Sequence, residues 1–200
     1  MHESALFSGK YFAEIYGNSN FKVIDIGGSD LNGSIKPFFK NMDYTILDIS
    51  PHPSVDIVIN PGERLPFEDS TFDLVVSTSC FEHDPCFWIT FKEICRITKI
   101  GGYIYVNAPS NGYYHGHPGD NWRFYADAGQ ALAYWASTQN VPVSVEETFF
   151  INPLNTEPWI DFICVWKRTN KHENTITVSE SIKTKIGPLK QKLINHGFKI

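Results

Sequence analysis

The chain predicts an α/β fold, a mostly parallel sheet with helices on both faces and an antiparallel pair of strands at its carboxyl end. Three observations predict it. The run Val23-Ile24-Asp25-Ile26 stops at Gly27-Gly28-Ser29-Asp30, which reads as a buried strand feeding a tight turn where backbone can approach a ligand. Strand-like apolar runs then alternate with helical patterns, as in βαβ units. The last two strand-like runs, 141–151 and 159–167, are joined by a link too short for a crossover, so they pair antiparallel.

Taken in order, Leu6, Phe7, Tyr11, Phe12, Ile15 and Tyr16 recur at helical spacing over 3–17, and Gly17 marks the stop. A strand over 21–27 follows. Asn32 is a candidate N-cap for a short helix through Phe38 and Phe39. Strands are expected over 43–48 and 54–59, with Pro51-His52-Pro53 turning the chain between them. The run FDLVVST at 72–78 suits a buried parallel strand and is too short for a helix. Asp84 and Pro85 open a helix carrying Phe87, Trp88, Phe91, Ile94 and Cys95 inward, with Lys99 at its basic end and Gly101-Gly102 as its stop. A fifth strand covers 103–108.

The stretch 109–126 is a loop by its glycines and prolines but is crowded with aromatic residues, and loops of that length in compact domains are usually functional. Asp127 and Gln130 resemble a capping box for the next helix, whose Leu132, Trp135 and Ala136 face inward. From Arg168 the chain is polar and Lys-rich, with one amphipathic piece near 188–195. The expected organisation is one domain over 1–168 and a basic tail over 169–200, flexible or a peripheral helix.

Two hundred residues, 42% of them hydrophobic and 14% aromatic, suffice for one well-packed core. No apolar run reaches the roughly 18 residues that span a bilayer, and MHESALFSGK has no basic and apolar leader pattern, so a cytoplasmic protein without a membrane span is expected. Cys80, Cys86, Cys95 and Cys164 form no CxxC pair, which fits thiols in a reducing compartment. Residues 1–166 carry 9 Lys and Arg against 20 Asp and Glu, and residues 167–200 carry 8 against 2. The acidic body argues against a nucleic-acid partner, because that affinity rests on phosphate neutralisation.

The glycine turn discriminates between ligands. A dinucleotide site needs G-x-G-x-x-G and a pyrophosphate resting on helix N–H groups, whereas here the glycines are Gly27, Gly28 and Gly33, and Asp30 sets a carboxylate beside the phosphates. A nucleoside cofactor without phosphates removes that conflict, and an ammonium gives the acids a partner. Asp48 ends the next strand, 21 residues past Gly27, where an acidic side chain can accept both hydroxyls of a ribose.

With VIDIGG, YTILDIS, ERLPFEDSTFDLVVSTSCFEHD and RITKIGGYIYVNAP in that order, the chain resembles class I S-adenosylmethionine-dependent methyltransferases, in the small-molecule branch with the methyltransferase type 11 domain. The resemblance covers roughly 20–166. It departs from the usual acid-x-G-x-G-x-G at Ser29 and Leu31. It implies a Rossmann-like sheet of seven strands, S-adenosyl-L-methionine as cofactor, and a set of contacts. Asp25, Gly27, Gly28 and Ser29 would lie along the methionine portion, Asp48 and Ile49 at the ribose, and Glu63 and Arg64 beside the adenine, with Asn60 as an alternative there. Ser79 and Cys80 would pass beneath the sulfonium.

Methyl transfer from a sulfonium is an in-line displacement, for which positioning supplies about 7–11 kcal/mol in favourable systems and a base about 10²- to 10⁴-fold. For a hydroxyl acceptor the candidate bases are His83, His115 and His117. His115-x-His117 with Asp120 could also be read as metal ligands, but a glycine-spaced loop with no second cluster argues for an acceptor pocket and no metal. Tyr113, Trp122, Arg123 and Tyr125 are the acceptor-side candidates, Arg123 for an anionic group. The segment NAPSNGYYHGHPGDNWRFYADAG is similar to one in methyltransferases of surface-glycan biosynthesis, which implies O-methylation of a sugar-like acceptor such as a glycan precursor. The alternatives are an N- or C-methyltransferase of a small metabolite and a non-catalytic Rossmann-like binding module.

Overall fold

The computed structural model describes residues 2–154, 158–171 and 186–200. Its sheet has seven strands: β1 (Lys22–Ile26), β2 (Asp43–Asp48), β3 (Ile57–Val58), β4 (Phe72–Thr78), β5 (Thr98–Pro109), β6 (Val143–Ile151) and β7 (Asp161–Arg168). They lie in the order β3-β2-β1-β4-β5-β7-β6. β1 to β5 are parallel, and β7 runs antiparallel to both β5 and β6. The order reverses between β1 and β4, the switch point outside which an open α/β sheet leaves a crevice.

Period-two alternation in the central strands explains the layers. Ile24, Val75, Ile104 and Val106 point to one face, under helices α2 (Phe87–Ile97) and α3 (Ala128–Thr138). Val23, Leu74, Val76 and Tyr105 point to the other, under α1 (Glu3–Tyr16) and the last helix, α4 (Pro188–His196). β4 is buried on both faces, so its centre, Leu74-Val75-Val76, is apolar, and its buried Ser77 donates to the Ile26 carbonyl at 2.9 Å. Among the described residues no helix is long and apolar enough to cross a membrane.

Several elements differ from the sequence expectation. The helix expected between Asn32 and Phe39 is a three-residue 3-10 turn, Lys36–Phe38, with Pro37 at its start; Gly33, at φ +108°, breaks the helical path just after Asn32. Helix α2 begins at Phe87. Asp84 acts three residues ahead of it, accepting the Cys86 N–H at 2.8 Å and the Thr90 hydroxyl. Lys99 lies in β5, where its ammonium meets Asp73 at 2.8 Å; β5 starts at Thr98, and Gly101, at φ +87°, sits within the register shift against β4. Asp127 makes no side-chain cap at α3.

The tail also departs from a peripheral role. Residues 172–185 lie outside the described residues, but α4 lays Leu189 and Leu193, both fully buried, against the α1 face, and Phe198 joins them. Buried Glu147 of β6 holds the helix start, accepting the N–H groups of Leu189 at 3.0 Å and Lys190 at 2.9 Å and the Tyr16 hydroxyl at 2.8 Å. Gly187 lets the chain pass, since a Cβ there would fall 2.2 Å from the Glu147 carboxyl carbon.

Candidate functional site

A cavity of about 770 Å³ opens at the carboxyl ends of β1, β2 and β4 and runs under the 109–126 loop. Asp25 through Ser29, Asp48, Ile49, Ser79 and Cys80 line one end; Glu82, His83, His115 and His117 line the other. Residues distant in sequence meet because parallel β1 and β4 end side by side, Asp25 opposite Val76 in register.

The turn after β1 is shaped by what surrounds it. Gly27 stands at φ +74°, and a Cβ there would meet the Cys80 sulfur at 2.3 Å. Gly28 passes over the Asp25 carboxylate, where a Cβ would lie 2.4 Å from Cγ. Both positions therefore require glycine, one for conformation and both for space. Asp25 is buried. Its Oδ2 accepts the Tyr44 hydroxyl at 2.7 Å, and its Oδ1 has no hydrogen-bond partner among the described residues. Burial chiefly, with the Asp48 charge adding to it, pushes its pKa up to about 7 despite the Tyr44 bond and Lys36. Asp48 accepts the Ser29 N–H at 3.2 Å and the Ser50 N–H at 3.1 Å, so its carboxylate is oriented at the cavity wall. Ser79 follows β4 at φ +50°, a left-handed residue at the cavity floor.

Glu63 and Arg64 do not reach the cavity. Gly62, at φ +76°, turns the chain outward, so Glu63 bonds Asn60 at 2.9 Å and Arg64 faces Asp69 at 3.7 Å on the surface. Ile59 and Pro61 line the wall instead. An apolar face before a Pro-Gly turn was the available signal.

At the other end the loop is stitched to the turn after β4. The N–H groups of Asn121 and Trp122 donate to the Glu82 carbonyl at 2.7 and 3.2 Å. The Asn121 amide donates to the His83 carbonyl and the Trp122 indole to the Asp84 carbonyl, each at 2.9 Å. Trp122 is thus a staple, edge-on to Phe87 and Trp88, and does not line the cavity. Tyr113 packs on Trp159 and Tyr125 on Phe150; both are largely exposed. The Arg123 guanidinium is spent on Asp120, at 2.5 and 2.7 Å, and holds that carboxyl well below the usual range, so Arg123 has no fork free for an anionic acceptor.

The three histidines do gather. The His83 ring lies 5.0 Å from that of His115 and 6.5 Å from that of His117. Nδ1 of His83 donates to the Gly119 carbonyl at 2.5 Å, which leaves Nε2 facing Glu82 at 3.7 Å. Burial lowers the His83 pKa. Burial raises that of Glu82 to about 8, and Glu82 Oε2 has no hydrogen-bond partner among the described residues. Sequence reasoning missed Glu82 as a site residue, although it precedes His83 directly. It also missed His2, on the cavity wall, whose ring bonds buried Asp161 at 2.8 Å.

The cavity tests the cofactor expected for it. Two carboxylates at neighbouring strand ends disfavour a pyrophosphate, whereas the unpartnered buried oxygen of Asp25 suits a cationic ligand.

Comparison with known proteins agrees with the architecture. A family described as a methyltransferase domain matches residues 34–106. The chain is 32% identical over 130 residues to 2-methyl-6-phytyl-1,4-hydroquinone methyltransferase 1, chloroplastic, of Oryza sativa subsp. japonica, covering 58% of this chain and 37% of that protein. It is 32% identical over 89 residues to the probable phthiotriol/phenolphthiotriol dimycocerosates methyltransferase 2 of Mycobacterium ulcerans, covering 39% and 33%. The chain thus spans about a third of the length of these curated relatives. Among solved structures, the Burkholderia thailandensis 1,6-didemethyltoxoflavin-N1-methyltransferase with bound S-adenosylhomocysteine superposes with a TM-score of 0.67 at 14% identity, over 84% of this chain and 79% of that one. A putative methyltransferase from Bacillus halodurans gives 0.60 at 13%, over 84% and 100%.

Proposed function

We propose, from the premise that this chain is a class I S-adenosylmethionine-dependent methyltransferase in fold and domain, that it methylates a hydroxyl oxygen of a small, sugar-like acceptor in the cytoplasm. The observation that carries this reading is the pair Asp25 and Asp48 on one cavity. The resemblance of the loop segment to glycan methyltransferases supports the sugar-like acceptor, and the hydroquinone and triol in the relatives' names are likewise hydroxyl compounds. Four free cysteines support a reducing compartment.

Asp25 and the Gly27 to Ser29 backbone would hold the amino-acid end of S-adenosyl-L-methionine, Asp48 and Ile49 its ribose, and Ile59 with Pro61 its adenine. When bound, the cofactor supplies a methyl group activated by a positive sulfur. Ser79 and Cys80, on the cavity wall, would close it on the side of that sulfur, and Trp122 and Asn121, which tie the loop to the turn after β4, would hold it over the reacting groups against water. His83, His115 and His117 are the groups on the acceptor side to take the proton that a hydroxyl must lose.

Calorimetric titration with S-adenosyl-L-methionine and S-adenosylhomocysteine tests the reading. Micromolar binding is expected, weakened about 10- to 100-fold in Asp48→Ala, the usual cost of charge-assisted hydrogen bonds. No heat with either compound overturns it.

A further inference from the structure

The geometry points to a divalent-cation site on Glu82, His83 and His115, suited to a zinc-class ion and open to an oxygen of the acceptor. The ion site stands on the side chains alone; its acceptor role rests on the methyltransferase reading.

One ligand atom from each of the three residues lies within 4.8 Å of the others, and all three line the cavity. Two imidazoles and a carboxylate are a donor set that binds Zn²⁺ and leaves a coordination position free. Glu82 supplies an independent observation. It is 1% exposed, and its Oε2 has no hydrogen-bond partner among the described residues. A buried carboxylate oxygen left in that state is costly, and a cation beside it removes the cost.

The surroundings are those of a ligand set. The Gly119 carbonyl accepts from Nδ1 of His83, keeping Nε2 as the nitrogen for an ion. Asp120 lies 3.1 Å from Nδ1 of His115 and is itself gripped by Arg123. Such outer acceptors fix the tautomer and the tilt of ligating imidazoles. The fold therefore splits the His115-x-His117-Asp120 pattern of the sequence. Asp120 is an orienting group, His117 falls outside the set, and Glu82 and His83 enter from the turn after β4. With His83 and His115 acting as ligands, His117 remains to take the acceptor's proton.

The test uses the full chain, stripped with a chelator, dialysed and titrated with Zn²⁺ against a chromophoric competitor, with Co²⁺ absorption as a second readout. One equivalent per chain is expected, with affinity falling at least about tenfold in both Glu82→Gln and His115→Ala, while His196→Ala, on the far face, binds as the parent does. His115 lies on the loop and partly exposed, so its variant stays informative if Glu82→Gln fails to fold. Absence of a bound equivalent, or unchanged affinity in His115→Ala, overturns the site. S-adenosylhomocysteine titration of the same samples separates the two readings: a bound ion without cofactor heat leaves the ion site standing and removes the methyltransferase one.

Discussion

Asp25 is a carboxyl group placed where its charge is disfavoured. The groups facing it are the Tyr44 hydroxyl, Asp48 and Lys36, and only the first two lie on the neighbouring strand and its end. Because its folded pKa is raised to about 7 from an ordinary value near 4, the folded chain holds the proton more tightly than the unfolded one. Its contribution is therefore full below about pH 4 and is lost as pH rises through about 7, on the order of 4 kcal/mol. Asp25→Asn cannot ionise and should remove that loss. Urea unfolding at pH 5 and pH 8 checks it: relative to the variant, the parent should lose a few kcal/mol between the two, and parallel pH dependence would refute the assignment. An ammonium-bearing ligand reverses the balance, so binding should release a proton near pH 7. The place of Asp25 and Asp48 on the cavity was legible in the sequence because Asp25 is the penultimate residue of β1 and Asp48 the last of β2, two parallel neighbours that end side by side. Glu63 and Arg64 were misplaced because the left-handed Gly62 decides which way the next residues point, and a Pro-Gly pair does not declare its direction.

At the scale of elements, the aromatic loop shows the difference between being near a site and being in it. Its composition marked it as functional, and it does roof the cavity through His115 and His117. Its largest side chain serves the roof's attachment. Trp122 spans from the loop to Asp84, and Asn121 to His83, so the loop is fastened to the turn after β4. Trp122→Ala removes one hydrogen bond and two aromatic contacts from a part-exposed site, at about 1–2 kcal/mol. Cofactor affinity should stay within about twofold while turnover falls, because the histidines lose their fixed position but the strand-end acids do not. Denaturant midpoints with S-adenosylhomocysteine titration and turnover would show this split; equal loss of cofactor affinity would mean that the loop reaches the cofactor. Sequence spacing could not separate Trp122 from Tyr113, since neither sits in a periodic element and only tertiary contacts distinguish them.

Across the whole molecule, the sheet has one face under α2 and α3 and another under α1 and α4, so the last helix completes a layer that the first begins. A boundary at 168 follows the change in charge, because Lys-rich sequence is a surface property. The apolar residues that decide burial, Leu189, Leu193 and Phe198, are sparse enough in 186–200 that their periodicity gives a weak signal. Burying such a side chain contributes roughly 1.5–3 kcal/mol, so three of them approach the 5–15 kcal/mol by which domains are stable at all. Ending the chain at 186 would also uncover Tyr11 and Phe149 and leave Glu147 buried without the two backbone donors it now satisfies. The truncated chain should therefore unfold at markedly lower denaturant or fail to fold, whereas Lys199→Ala, which removes one exposed charge, should unfold near the parent's midpoint. An unchanged midpoint in the truncated chain would return 186–200 to the status of an appendage, with α1 able to cover its face of the sheet unaided.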